Sequence, residues 1–547
     1  MEGVAKAAQR TSLGVDNLAA RQRTVESAPR MRTFGKPEKA LLFAVAVALL
    51  AAYTWWLHFR YPLQHADSAL HVQVADRMAE TGRPVSQVAE AERQLGLAVT
   101  LETPADVLCK APLPGPGPGE FNFFTWHTYL DFYLYLPLFM LLGGALGLSL
   151  LTAASFVLVP VAAYVALRTE AVPVALSAIV AALLSLHPVW AGGVQGDFYG
   201  DRLFVGPAFV LCLLLFTRRF ASRWVIPLAL LLTLSGERMG AIAGALMIGA
   251  VILADPWHPR QWWKQRLVLG FGLLCIAWTA VLLIAVRMHP HYEGYWQSLQ
   301  PSAILLQLRD NPVFVANLVT FATINFVAWG IPALGCWRGL LLALMVMLPN
   351  ILGNYGGGEK TGFFTHYHSF YYPVLAAAVC LSFVRFHRTA PRWASWGFAG
   401  WLAVAGLAYN IALNQYDFRF TEVATRSLAY PFKGYAWEHE QVQSRKALRA
   451  HMDRYPGSVV STTEWFMPVL SPRHPIAYYP LGIDDSDFIV LPQSPVPGLY
   501  VGTISYLGDE EARKIDTCLT ARLRDAGWRV EKEMTGAVIL TRRPAAD

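Results

Sequence analysis

Long apolar runs joined by short basic connections constrain this chain more than any other feature. A helix needs about 20 apolar residues to cross a bilayer. The first such run is 40–57, and others follow at approximately 146–167, 172–188, 203–217, 222–236, 239–254, 267–286, 313–336, 339–353, 367–384 and 394–413. That makes about eleven spans. With 54% apolar residues, 15% charged residues and 18 tryptophans among 547, a soluble enzyme is excluded and a polytopic membrane protein is indicated. The net charge of +7 then says nothing of nucleic acid, and no nucleic-acid partner is expected. Lys and Arg in the connections set orientation instead.

Residues 1–38 carry Lys6, Arg10, Arg21, Arg23, Arg30, Arg32 and Lys36 with few aromatic or branched residues, the composition of a disordered cytoplasmic tail. The next run has no small-residue cleavage site, so it reads as a retained first span. Counting 128–144 as a span would put the arginine turns at 218–223 and 385–392 outside, against the positive-inside rule. Its Tyr129, Phe132, Tyr133 and Tyr135 suit a helix lying in the outer interface. Arg218, Arg219, Arg223, Arg260, Lys264, Arg266, Arg338, Arg385, Arg388 and Arg392 then fall inside. Segments 58–127, 188–202, 287–312 and 354–366 fall outside.

The expected fold is therefore mainly α, a polytopic helical bundle over 39–413 that includes a first exoplasmic loop at 58–145. Residues 414–547 change character. Short β-rich runs (Ser458–Thr462, Ile476–Tyr479, Asp487–Leu491, Trp528–Met534, Ala537–Thr541) alternate with helical stretches such as 509–526, which predicts a small exoplasmic α/β domain with a partly parallel sheet. The Pro/Gly stretch 112–119 reads as an irregular loop, and no internal repeat is evident. Cys212, Cys275, Cys336 and Cys380 lie in or at the edges of apolar runs as packing residues. Cys109 and Cys518 fall on one predicted outer side, which leaves a disulfide between them open.

Four outer features carry chemistry. The first is His65-Ala66-Asp67-Ser68-Ala69-Leu70-His71, just beyond the first span. Asp67 is either a helix N-cap or a general base that deprotonates an acceptor hydroxyl beside the lipid, with His71 one turn on. The second is Gly196-Asp197-Phe198-Tyr199-Gly200-Asp201-Arg202, and the third Ser235-Gly236-Glu237-Arg238-Met239-Gly240. Ionisable groups at that depth are paired or functional, so Glu237–Arg238 or Asp201–Arg202 pairs that merely orient a turn are the plain alternative. The fourth is Asn354–Lys360 followed by Thr365-His366-Tyr367-His368, where backbone N–H groups and Lys360 suit a phosphate. A mobile loop is the alternative. His366 and His368, like His289 and His291, are spaced two apart and share no helix face, so no metal site is expected. An outer cluster of both signs around an apolar bundle suits a substrate with a charged head and a lipid tail, such as an isoprenoid phosphate carrying a sugar.

This layout resembles the GT-C superfamily of membrane glycosyltransferases, which includes the protein O-mannosyltransferases and the aminoarabinose transferase of lipid A. Asp67 takes the position of that superfamily's acidic residue early in the first outer loop. Trp126-His127-Thr128-Tyr129 is similar to its His-Pro-Pro-Leu-Tyr segment, without the prolines. Gly-Glu-Arg-Met-Gly at 236–240, His-Tyr-His-Ser-Phe-Tyr-Tyr-Pro at 366–373 and Ser-Pro-Arg-His-Pro-Ile-Ala-Tyr-Tyr-Pro at 471–480 resemble a bacterial family of GT-C-like membrane proteins over most of 40–495. The resemblance implies a polyprenyl-phosphate sugar donor, an exoplasmic glycan, lipid or protein acceptor, and a bacterial inner or plasma membrane location. Asp67 would be the base, and Lys360, Arg202 and Arg238 would neutralise the departing lipid phosphate. No cofactor is required, although Asp67, Asp197 and Asp201 could hold a divalent metal. A transporter or flippase of a lipid-linked glycan is the alternative, but it predicts charges through the depth of the spans and repeated halves. A scaffold would leave the outer cluster unexplained.

Overall fold

A computed structural model describes residues 35–98 except 65, 109–110, 112–113, 115, 120–190 except 126, 198–286, 300–352, 368–416, 430–494, 500 and 509–542. The expectations for the N-terminal tail, most of the Pro/Gly loop, Asp197, His289, His291, Lys360 and His366 lie outside these residues. The chain is mostly helical, with a small sheet near its C-terminus.

The first span forms α1 (Lys36–Arg60), opened by Pro37, which suits an initial helical position. Leu41, Phe43, Val45, Val47 and Leu49 are exposed along it, an apolar face that only lipid satisfies. Glu38 accepts hydrogen bonds from Arg168 Nε at 2.6 Å and Tyr164 Oη at 2.8 Å. Those partners sit near the C-terminal end of α5 (Gly144–Thr169), so α1 and α5 run antiparallel. After a 3-10 turn (Tyr61–Leu63) come α2 (Ala66–Thr81), β1 (Val85–Ser86), α3 (Gln87–Ala98), β2 (Phe121–Asn122), α4 (Phe132–Leu142) and α5 (Gly144–Thr169). With 11 residues and an internal proline, α4 is too short to cross.

The bundle continues with α6 (Val174–Leu183), α7 (Val205–Phe216), α8 (Val225–Leu234), α9 (Met239–Ala254), α10 (Arg266–Val286), α11 (Pro301–Asp310), α12 (Pro312–Asn325), α13 (Trp337–Leu352), α14 (His368–Thr389) and α15 (Arg392–Tyr416). Residues of α5, α7, α9 and α14 dominate its core. Nearly all of the apolar window of α14 is buried, 89% against 6% for α1, so α14 is the axial helix and α1 the outermost.

Among the described residues five helical stretches are long and apolar enough to cross a membrane: Lys36–Leu63, Gly144–Thr169, Arg266–Ile284, Phe314–Leu348 and His368–Thr389. Of the other expected runs, 172–188, 203–217, 222–236 and 239–254 form shorter helices for local reasons, whereas 394–413 lies in the 25-residue α15. Gly200–Phe204 is wound as a 3-10 turn, which leaves α7 only 12 residues, and Ser235–Arg238 separates α8 from α9. The runs expected at 313–336 and 339–353 join into one path through a π-helical stretch, Phe326–Gly330.

C-terminal to the bundle, α16 (Tyr430–Met452) leads into a five-stranded sheet of order β4-β3-β5-β7-β6. Its strands are β3 (Val460–Thr462), β4 (Ile476–Tyr478), β5 (Phe488–Pro492), β6 (Arg529–Met534) and β7 (Ala537–Thr541), with α17 (Asp509–Asp525) before β6. β3 is parallel to β4 and β5, whereas β7 is antiparallel to β5 and β6. One face packs under α17 through Ile515, Leu519 and Leu523. The other shares a core with Ala69, Leu70 and Val74 of α2 and with Phe132 and Phe139 of α4. α2 and α4 are thus packed between the bundle and the sheet. A Cys109–Cys518 disulfide, with Cα atoms 5.9 Å apart, ties the outer loop to α17. Nearby, Leu113 N donates to Asp484 Oδ2 at 2.8 Å and Gly482 N to the Leu113 carbonyl at 2.9 Å.

Candidate functional site

Asp67 lies in the first turn of α2, seven residues after Arg60 closes α1. From Ala66 to Val72 every residue is buried except Asp67, which is partly exposed. The buried residues around Asp67 therefore anchor the start of α2 in the protein while the Asp67 side chain stays partly exposed. Tyr199 Oη donates to Asp67 Oδ2 at 2.7 Å, and Phe198 N donates to Ser68 Oγ at 2.9 Å. These bonds hold the segment before α7 against the start of α2. His71 Nδ1 lies 2.6 Å from the Asp67 carbonyl. Since a carbonyl only accepts, Nδ1 carries the proton.

Around this point the aromatic rings form a floor. The His71 ring is 5.5 Å from Tyr129 and 5.4 Å from Phe123, and His127 stacks on Tyr129 at 5.8 Å. Tyr129 fits because Gly200 and Gly236 flank it. A Cβ at Gly200 would overlap the ring, and one at Gly236 would lie 3.2 Å from Cε1. Gly236 also has φ +151°, which residues with a side chain rarely adopt. Gly200→Ala is expected to cost about 1–3 kcal/mol, the usual penalty of overpacking, read as a lower melting temperature in detergent.

Glu237, 4% exposed, is the electrostatic hub. Its Oε1 lies 3.2 Å from His127 Nδ1 and 3.9 Å from Arg238 Nε, and Thr128 N donates to Oε2 at 3.3 Å. Burial alone would raise its pKa, but the charge of His127, the His127 hydrogen bond and Arg238 outweigh burial and hold it well below the usual carboxylate range. Asp201 shares the same cations with the opposite result. Burial, reinforced by the charge of Glu237 and opposed by Arg238 and His127, raises it to about 7. Two carboxyl groups with pKa values driven apart mark a site able to hold and move protons.

Asp131, which the sequence reading missed, is fully buried beside Ser235 and raised to about 7 by that burial. A carboxyl with a raised folded pKa binds its proton while the unfolded chain has released it, so its contribution to stability falls as pH climbs from about 4 to about 7. Asp131→Asn is expected to flatten the decline in melting temperature between pH 5 and pH 8. An unchanged slope would reassign it to other groups, Asp201 first.

The structure thus gathers Asp67, His71, His127, Asp201, Glu237 and Arg238 around Tyr129 and Tyr199. Arg202 adjoins them, but its guanidinium acts on Tyr53 of α1, while Asp201 takes its main cationic influence from Arg238. His368 belongs elsewhere. It is buried at the start of α14, 2.5 Å from Tyr371 Oη through Nδ1, with the His187 ring at 5.6 Å and Phe321 stacked at 5.7 Å. Among the described residues no group of three or more His, Cys, Asp or Glu side chains is placed to hold a metal ion.

Apolar helices of spanning length with a polar cluster at one end define an integral membrane protein. The chain belongs to the DUF2079 family of predicted membrane proteins, whose family model matches residues 97–539. No curated protein matches it.

Proposed function

We propose that this protein is a GT-C-type glycosyltransferase that moves a sugar from a polyprenyl-phosphate donor to an exoplasmic glycan, lipid or protein. The observation that supports it most is the placement of Asp67, a partly exposed carboxylate held by Tyr199 directly after the first span. In this reading Asp67 takes the proton of the acceptor hydroxyl as its oxygen attacks the anomeric carbon. The bond from that carbon to the phosphate oxygen breaks, and the lipid phosphate leaves with the electron pair. Arg202 and Arg238, together with Lys360, offset the charge that develops on it. Tyr199 orients Asp67, and the His127–Glu237–Arg238 array fixes the opposite wall. The reaction requires no cofactor.

The reading includes an eleven-span arrangement with the N-terminus cytoplasmic and the site and sheet domain outside. Cysteine labelling would find positions 218 and 388 inside. Purified protein in liposomes, supplied with polyprenyl-phosphate pentose and hexose donors and a membrane extract as acceptor source, is expected to release free polyprenyl phosphate. Movement of intact donor between leaflets without that release would establish a transporter instead.

A further inference from the structure

Of the cations assigned to the lipid phosphate, Arg238 is already engaged, facing Glu237 at 3.9 Å and acting on Asp201. Arg202 differs. It is 2% exposed, and among the described residues its Nε and Nη1 are shut off from solvent with no hydrogen-bond partner. A guanidinium is rarely buried without an anion, because the lost hydration goes unreplaced.

A second guanidinium stands close by. Arg60, 6% exposed, ends α1 with its Cζ 5.0 Å above the Trp56 ring. Neighbouring contacts bring the two arginines together from separate elements. Tyr61, next to Arg60, stacks on Phe198 at 5.8 Å. Tyr53, two turns before Arg60, packs on Phe156 at 6.0 Å and donates from Oη to the Trp190 carbonyl at 2.8 Å. Ser155, beside Phe156, donates to the Arg202 carbonyl at 3.0 Å. Both guanidiniums lie within electrostatic reach of the Tyr53 hydroxyl. A planar guanidinium pair suits phosphate oxygens in particular. The position also suits a lipid, since α1 is the least buried span and leaves its flank, Trp55 included, open to an isoprenoid tail.

We propose that Arg60 joins Arg202 to form the seat of the donor's lipid-linked phosphate. This rests on the reading that the donor is a polyprenyl phosphate. The test uses full-length protein in phosphatidylcholine nanodiscs, with bound lipid measured by native mass spectrometry. The probes are a long-chain polyprenyl monophosphate, the matching polyprenol, phosphatidylglycerol and inorganic phosphate. Wild type is expected to prefer the monophosphate to polyprenol by about tenfold or more, and Arg60→Gln and Arg202→Gln each to lose about tenfold in monophosphate affinity. Arg77→Gln, which removes an exposed pair with Glu80 and Glu120, is expected to stay within about twofold. Where a glutamine variant does not fold, the lysine variant decides, since it keeps the charge without the fork and is expected to bind more weakly than wild type.

Arg60→Gln and Arg202→Gln binding like wild type while Arg238→Gln fails would overturn the seat and leave the donor reading standing. A wild type that does not distinguish monophosphate from polyprenol removes the donor reading itself. Equal binding of phosphatidylglycerol, or full competition by inorganic phosphate, would overturn the seat as one for an isoprenoid phosphate.

Discussion

Asp67→Asn is expected to lower sugar transfer by about a hundredfold to ten-thousandfold, the range that a positioned general base supplies, while the protein still folds and inserts. Asparagine has the same shape and keeps an oxygen that can accept from Tyr199 Oη, and the buried face of α2 from Ala66 to Val72 is untouched. What it loses is the capacity to take a proton. Released polyprenyl phosphate per unit of folded protein is the measurement, with a melting curve beside it. Wild-type turnover in the variant would remove Asp67 from the base role. An inactive variant with a collapsed melting curve would instead give Asp67 a structural role in the first turn of α2.

Glu237→Ala is expected to destabilise the protein by about 3–5 kcal/mol, the cost of breaking a buried ion pair from one side. Glu237 is 4% exposed and holds the His127 ring, the Thr128 N–H and Arg238, so its removal leaves the buried Thr128 amide without this acceptor and takes the carboxylate from His127 and Arg238. Glu237→Gln keeps the Thr128 contact and is expected to cost less. It should also bring Asp201 down from about 7, because the charge of Glu237 helps to raise it. Chemical unfolding in mild detergent reads the first effect, and the pH dependence of unfolding reads the second. A Glu237→Ala protein as stable as wild type would mean that the cluster is solvated and the hub is misassigned.

The sequence was most legible where a pattern is local. The β-rich runs of the C-terminal region lie where β3 to β7 form, and the helical stretch 509–526 is α17, because alternation and helical spacing are properties of neighbouring residues. Asp67 could likewise be singled out by its distance from the first apolar run. Long-range partners were not legible. His127 meets Glu237 across 110 positions and Tyr199 meets Asp67 across 132, and no spacing rule links them. Asp131 was hidden by its aromatic surroundings, which draw attention as an interfacial helix and away from the one carboxyl there. Adjacency also misled for Asp201 and Arg202. Consecutive residues in the tight turn Gly200–Phe204 point in different directions, one toward Arg238 and the other toward Tyr53. The span count depends on how polar breaks divide apolar runs, and Ser235–Arg238 divides one into helices of 10 and 16 residues.

The Cys109–Cys518 bond joins sulfurs 409 residues apart in the chain, and a covalent bond of about 2 Å cannot thread a bilayer. Both cysteines therefore face the same side, and the chain between them crosses the membrane an even number of times. The eleven expected runs satisfy that condition, with one before Cys109 and ten after it. The five long helical stretches satisfy it as well, with one before and four after. Counting 128–144 as a further span would break it. The disulfide thus acts as a parity check on membrane insertion: any re-threading of the segments between the two cysteines has to occur in pairs.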